Sequence, residues 1–196
     1  DMRVASDDSV FGMPEVKIGL PSVVEAALLP QTYLFERGTP VAAILSRGRA
    51  ALQKALDQEW AARAENLPVS SKSDALILAS IVERETALAE ERPRIAAVFL
   101  NRLRAGMKLQ SDPTVIYAAS AGLGVLDRPL SRADLERDDP FNTYRIHGLP
   151  PGPIAAPGLA SLHAVLHPAI TDDLYFVADG NGGHAFARTT RTTDQF

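Results

Sequence analysis

Eight uncharged residues, Ala75 through Val82, run straight into the acid–base–acid triplet Glu83-Arg84-Glu85. The run is too short to cross a membrane, which takes about 20 apolar residues. It is also too continuous for a surface helix, whose apolar stripe is broken by polar residues every few positions. It predicts a buried central helix that carries a carboxylate into or beside the core. Ser71 and Asp74 stand in front of it at capping-box spacing, so the helix is expected over residues 74–90. Upstream, Val41, Ile44, Leu45, Leu52, Leu56 and Trp60 recur at spacings near three and four, which predicts a scaffold helix over residues 40–64 with Pro40 in its first turn. Downstream, Ile95, Val98, Phe99 and Leu103 form the stripe of another helix over residues 94–104, with Gly106 where a C-terminal glycine belongs.

Shorter elements follow. Asp112-Pro113 reads as an N-cap and first helical residue before a helix over 114–119. Ser131 and Asp134 repeat the capping-box spacing, and a final helix over 158–166 is stopped by Pro168. Residues 32–35 and 141–146 read as strands, and 174–178 with 184–187 as a hairpin around the glycine-rich turn 179–183. The stretch Gly148-Leu-Pro-Pro-Gly-Pro153 cannot be regular structure. Residues 1–30 are punctuated by Gly12, Pro14, Gly19 and Pro21, and residues 23–29 fit either a strand or a short helix. Helices dominate a few short antiparallel strands, so the fold class is α+β.

Composition narrows the function. At 196 residues and 46% hydrophobic, the chain has the means for a packed core. A net charge of −4 argues against a general nucleic-acid binder. With no cysteine, disulfides and thiolate chemistry are excluded. The sequence shows no signal peptide or membrane helix, and its start at Asp1 reads as a piece of a longer protein.

The chemistry centres on the two acids. Successive helical residues turn by about 100°, so Glu83 and Glu85 leave a helix on different sides. Glu83 shares its face with Leu76, Ala79, Ser80, Thr86 and Ala87, and Glu85 shares its face with Leu78, Ile81, Val82, Leu88 and Ala89. Small neighbours leave room for a ligand, so the pattern favours Glu83 as a working acid. Glu85 then reads as a structural acid paired with an arginine such as Arg92 or Arg102. The competing reading is that the helix simply surfaces at Glu83 and both acids are solvated. His163 and His167 have the spacing of a zincin pair, but Ala-Val-Leu lies between them and the glutamate of that motif is missing, so they are read as carrying no metal. His184 reads as structural. A lone acid suits glycoside chemistry, where a carboxyl of raised pKa protonates the leaving oxygen. Asp112 is the nearest second carboxylate, although capping a helix would explain it equally well.

Several blocks in order resemble the YceG-like (MltG) endolytic murein transglycosylases: Leu29-Pro-Gln-Thr-Tyr33, Ala79-Ser-Ile-Val-Glu-Arg-Glu-Thr86, Val98-Phe-Leu-Asn-Arg-Leu103, Leu109-Gln-Ser-Asp-Pro-Thr-Val-Ile-Tyr117, Phe141-Asn-Thr-Tyr144, Gly148-Leu-Pro-Pro-Gly152, Leu174-Tyr-Phe-Val-Ala-Asp-Gly180 and Gly183-His-Ala-Phe186. The resemblance divides the chain into an N-terminal segment, 1–28, that matches poorly and a catalytic domain, 29–196. Glu25 is followed by Ala26 where the family usually has Glu-Gly. The family's membrane helix and LysM-like domain precede the catalytic region and are not among these residues.

The resemblance implies a lysozyme-like core and cleavage of the β-1,4 bond between N-acetylmuramic acid and N-acetylglucosamine in nascent glycan strands, leaving 1,6-anhydro ends. One glutamate would act first as general acid and then as general base, and the family block places it at Glu83. Gln110, Asp112 and Thr114 would hydrogen-bond the sugars, Tyr117 and Tyr144 would form walls or stacking surfaces, and Asn142 would orient a substrate group. Gly148 to Pro153 would form a rim or lid. No metal or cofactor is implied. The partners implied are peptidoglycan strands and the peptidoglycan synthases, at the bacterial inner membrane with the catalytic domain in the periplasm. Two other functions remain open at this point: a lysozyme-type hydrolase using Asp112 as second carboxylate, and a non-catalytic glycan-binding scaffold.

Overall fold

A computed structural model describes residues 4–6 and 27–189. Glu25, Ala26 and most of the 23–29 stretch therefore lie outside the described residues. The helices are α1 (Val41–Ala61), α2 (Lys72–Glu85), α3 (Arg92–Arg104), α4 (Asp112–Ala119), α5 (Arg132–Glu136) and α6 (Leu159–Leu166). The strands are β1 (Val4–Ser6), β2 (Tyr33–Phe35), β3 (Tyr175–Ala178) and β4 (His184–Ala187). The class is α+β, with helices dominant. β3 and β4 form the expected antiparallel hairpin, with Tyr175 opposite Ala187. β1 pairs parallel with β2, an association that local pattern does not signal because the partners are far apart in sequence. Among the described residues, no helix is long and apolar enough to cross a membrane.

The apolar run lies at the centre. Ala75, Leu78, Ala79, Ile81 and Val82 have no exposed surface, and α1, α3, α4 and α6 pack around them. Each fully enclosed aliphatic side chain contributes about 1.5–3 kcal/mol. Truncating Leu78 to Ala would cost about 2–5 kcal/mol, since the enclosed site collapses only partly. The capping box forms as the spacing predicts: Ser71 Oγ accepts from the Asp74 amide at 3.1 Å, and the Asp74 carboxylate accepts from the Ser71 amide at 3.1 Å.

α2 stops at Glu85, short of residue 90, because Thr86 is extended at φ −142°, ψ 141°. Its hydroxyl accepts from the Leu88 amide at 3.0 Å and donates to Glu91 at 3.1 Å, so the chain turns rather than continuing the helix. α3 restarts at Arg92 with Pro93 in its first turn. Residues 141–146 form turns and not a strand. Asn142 Oδ1 accepts from the Tyr144 amide at 3.0 Å, an Asx-type bond that closes a turn on itself. The proline-glycine stretch is ordered against the core: Pro150 and Ile154 are buried, and the Ile154 amide donates to Ser80 Oγ at 3.0 Å.

The hairpin docks on α3. Phe176 meets Phe99 edge-on at 5.7 Å, and Arg102 Nε donates to the Leu174 carbonyl at 2.6 Å. Asn101 Nδ2 donates to the carbonyls of Thr171 (2.8 Å) and Asp173 (3.0 Å), and Arg94 pairs with Asp173 at 2.7 Å.

Candidate active site

The last residue of α2, Glu85, opens on a cleft of about 180 Å³ whose other walls are Arg102, Leu109, Gln110, Asp112, Tyr144 and Phe176. Five pieces of chain build it: the end of α2, Arg102 of α3, the segment entering α4, the turn at Tyr144, and strand β3. Burial is the largest influence on the Glu85 carboxyl, and the nearby Asp112 carboxylate adds to it. Together they outweigh the Ser111 hydrogen bond and the Arg102 and His184 charges, and the pKa is raised to about 7. Such a group carries a proton near neutrality and can give it up, which is the requirement for a general acid. Ser111 Oγ donates to Oε1 at 2.5 Å, which leaves the acid proton to Oε2.

Ser111 is itself held. Its amide donates to Thr143 Oγ1 at 2.9 Å, Thr143 and Thr114 share a hydroxyl hydrogen bond at 2.8 Å, and Thr114 Oγ1 donates back to the Ser111 carbonyl at 2.7 Å. Gln110 stands at φ 50°, in the left-handed region that non-glycine residues rarely adopt, and its amide donates to the Thr143 carbonyl at 3.2 Å. Strain of this kind persists where surrounding contacts over-determine the backbone. The N-cap of α4 is Ser111, not Asp112. The Asp112 carboxylate is exposed and accepts from the Tyr144 hydroxyl at 2.7 Å. Burial and the Asp112 charge push the Tyr144 phenol above its ordinary pKa, so it remains a donor.

Glu83 goes elsewhere. Its Oε2 accepts from the Gly158 amide at 3.0 Å and from Ser161 Oγ at 2.6 Å, and Arg92 Nη2 lies 3.8 Å from Oε1. It is the acceptor at the N-terminus of α6, where backbone amides have no partner within the helix. Both acids border a shallow opening beyond the end of α2, with Arg84, Thr86, Ala87 and Arg92, but only Glu85 lines the deeper cleft. Of the small residues beside Glu83, Ser80 meets the Ile154 backbone, while Thr86 and Ala87 border the shallow opening. Neither arginine considered as a partner for Glu85 is used that way: Arg92 faces Glu83, and Arg102 donates to the carbonyls of Leu174 and Leu109 (2.6 Å each).

Of the residues expected at the site, the structure gathers Gln110, Asp112 and Tyr144 around Glu85. Thr114 has no exposed surface and acts through Ser111. Asn142 also has none, and its Nδ2 donates to the carbonyls of Asp134 (3.2 Å), Leu135 (3.1 Å) and Arg137 (2.8 Å). Tyr117 packs against Phe141 at 4.8 Å and borders a separate shallow cavity with Ala121, Gly122 and Asp139. The Gly148–Pro153 stretch is not among the walls of the cleft.

Residues 5–195 match the model of the YceG-like family. The chain belongs to the YceG-like family. It is 49% identical over 116 residues to the endolytic murein transglycosylase of Bacillus subtilis (strain 168), a match covering 59% of this chain and 31% of that protein. It is 35% identical over 169 residues to the endolytic murein transglycosylase of Streptococcus pneumoniae serotype 2 (strain D39), covering 83% of this chain and 29% of that protein. A crystal structure from Listeria monocytogenes, described as YceG-like, superposes with a TM-score of 0.69 at 35% identity, covering 87% of this chain and 54% of that one. The chain thus spans less than a third of the length of these curated relatives.

In this YceG-like cleft, the sequence alone did not mark Ser111, Leu109 and Phe176 as walls or supports, while Arg102, read as a partner of Glu85, lines the same cleft. Ser111 had a usable signal, since it sits inside the Gln110-Ser-Asp-Pro block. Phe176 had none, because only the docking of the hairpin on α3 brings it to Glu85.

Proposed function

We propose that this chain carries the catalytic region of an endolytic murein transglycosylase, with Glu85 rather than Glu83 as its single acid and base. The observation that carries the choice is the Glu85 carboxyl, held by Ser111 at 2.5 Å in a cleft and kept protonated to about pH 7. The names of the relatives support the activity.

In the reaction, Glu85 donates its proton to the oxygen leaving C1 of N-acetylmuramic acid as that bond breaks. The resulting carboxylate takes the proton of the 6-hydroxyl as O6 bonds to C1 of the same ring. The proton count closes with no water consumed, and the product is a 1,6-anhydro end. An intramolecular nucleophile needs no enzyme carboxylate to activate it, and its proximity supplies much of the rate. Gln110 and the Tyr144–Asp112 pair provide polar groups along the cleft for sugar hydroxyls and amides, and Phe176 provides an apolar surface. The setting that fits is a catalytic region anchored at the inner membrane, working in the periplasm on nascent strands beside the synthases.

A hydrolase is the second reading, because Asp112 lines the same cleft as Glu85 and could activate water. Digestion of purified peptidoglycan followed by mass analysis of the fragments separates the two. Anhydro ends that fall by about 10²–10⁴-fold in Glu85→Gln support the proposal. Reducing ends would overturn it in favour of hydrolysis, and full activity in Glu85→Gln with loss in Glu83→Gln would return the role to Glu83.

A further inference from the structure

At the opposite end of α6 from Glu83 stands a cluster that the proposed reaction does not use. His163 lies in the last turn of α6 and His167 is its C-cap, where φ −133°, ψ 61° turns the chain out of the helix. Their rings stack with centroids 4.4 Å apart and planes 26° apart. α1 delivers Glu59 to them, with Oε2 2.8 Å from Nδ1 of His163 and 3.3 Å from Nε2 of His167. All three atoms lie within 4.8 Å of one another.

We propose that Glu59, His163 and His167 bind a divalent transition-metal ion of the Zn²⁺ class, clipping α1 to α6. Two imidazole nitrogens and one carboxylate oxygen form a donor set that such ions favour over Mg²⁺ or Ca²⁺, which take oxygen ligands. Metal bonds of about 2.0–2.1 Å in a tetrahedron separate ligand atoms by about 3.3 Å. The two Glu59 separations, 2.8 and 3.3 Å, come within about half an ångström of that without backbone movement. Two rings converge on a single carboxylate oxygen, and an ion between them engages all three groups at once.

Access is open. The His163 side chain is 57% exposed and that of His167 28%, so an ion can enter and keep a water in its fourth position. The support is firm, since just past the end of α1 the Ala64 amide donates to the Leu166 carbonyl at 2.9 Å, beside the cluster. Spacing alone missed the site because the third ligand comes from a different helix, 104 residues away from His163. The ion would stabilise the scaffold and take no part in the reaction. α6 would then be fixed at both ends, by Glu83 at its N-terminus and by the ion at its C-terminus.

The test uses the chain without a histidine tag, stripped with a chelator and titrated with Zn²⁺. One equivalent is expected to bind, and at 100 times the Kd the melting temperature is expected to rise by about 5–10 °C. Co²⁺ is expected to give the visible absorption of a tetrahedral N₂O site. His163→Gln should abolish both signals and Glu59→Gln should weaken binding at least about tenfold. Both positions are on the outside of the core, and the metal-free melting of each variant shows that it is folded. A chain that binds no Zn²⁺ at about 1 mM overturns the proposal. So does a Zn²⁺-induced shift that survives unchanged in both variants, which would put the ion elsewhere.

Discussion

Glu83 and Glu85 are separated by one arginine and carry the same functional group, yet their surroundings set them to different work. Glu83 accepts from the Gly158 amide and the Ser161 hydroxyl, with the Arg92 guanidinium 3.8 Å away. Glu85 meets burial and a second carboxylate, which stabilise the protonated form. The sign for stability follows. Between about pH 4.5 and 7 the folded chain holds a proton on Glu85 that the unfolded chain has lost. Stability from this group is therefore complete below that window and lost as pH rises through it, by at most about 3 kcal/mol. Glu85→Gln removes the titration while keeping the Ser111 partner. Chemical denaturation should find the variant more stable than the parent at pH 8 and no better at pH 5, and an equal difference at both would show that Glu85 is not the perturbed group. The rate of the proposed glycan cleavage should fall as pH rises through about 7, because the acid form is lost.

At the scale of elements, the cleft depends on turns as much as on helices. Asn142 was expected to touch substrate, but its side chain is spent on carbonyls at the end of α5 and on the Tyr144 amide. It fixes the turn that aims Tyr144 at Asp112. Asn142→Ala should lower stability by about 1–3 kcal/mol, because it leaves enclosed carbonyls without donors. Activity should fall through loss of the Tyr144 wall, with KM affected more than kcat. A variant of unchanged melting temperature and reduced kcat alone would instead indicate direct contact with the reacting sugar. The helices themselves were legible: the capping boxes at Ser71 and Ser131 formed at both positions, since they depend only on residues three apart. The end of α2 was not legible, because Thr86 leaves the helix to bond Glu91, a choice that local propensity does not contain.

For the molecule as a whole, one carboxylate joins the hairpin to the central helix. Glu91 accepts from the His184 amide and ring at 2.7 Å each, and from the Thr86 hydroxyl that ends α2. Burial alone would raise its pKa, but these bonds outweigh burial and hold it below the usual range. The hairpin carries Phe176 into the cleft, so Glu91→Ala should speed hydrogen exchange at the β3 and β4 amides and reduce activity together. Unchanged exchange at those amides would show that the Phe99–Phe176 contact and the Arg102 and Asn101 bonds suffice to dock the hairpin.

The sequence by itself determined the buried run of α2, the stripes of α1 and α3, the hairpin and the block order, because each depends on neighbours a few residues apart. It also brought the catalytic choice down to two acids. It favoured Glu83 for its small neighbours, but helical phase says which way a side chain leaves the axis and not what waits there. The N-terminus of α6 took up the Glu83 carboxylate, while α3, the 109–112 segment, Tyr144 and β3 left a cleft beside Glu85. Only the packing of distant segments decides what each side of a helix meets, and with it how deeply the Glu85 carboxyl is buried and how far its pKa rises.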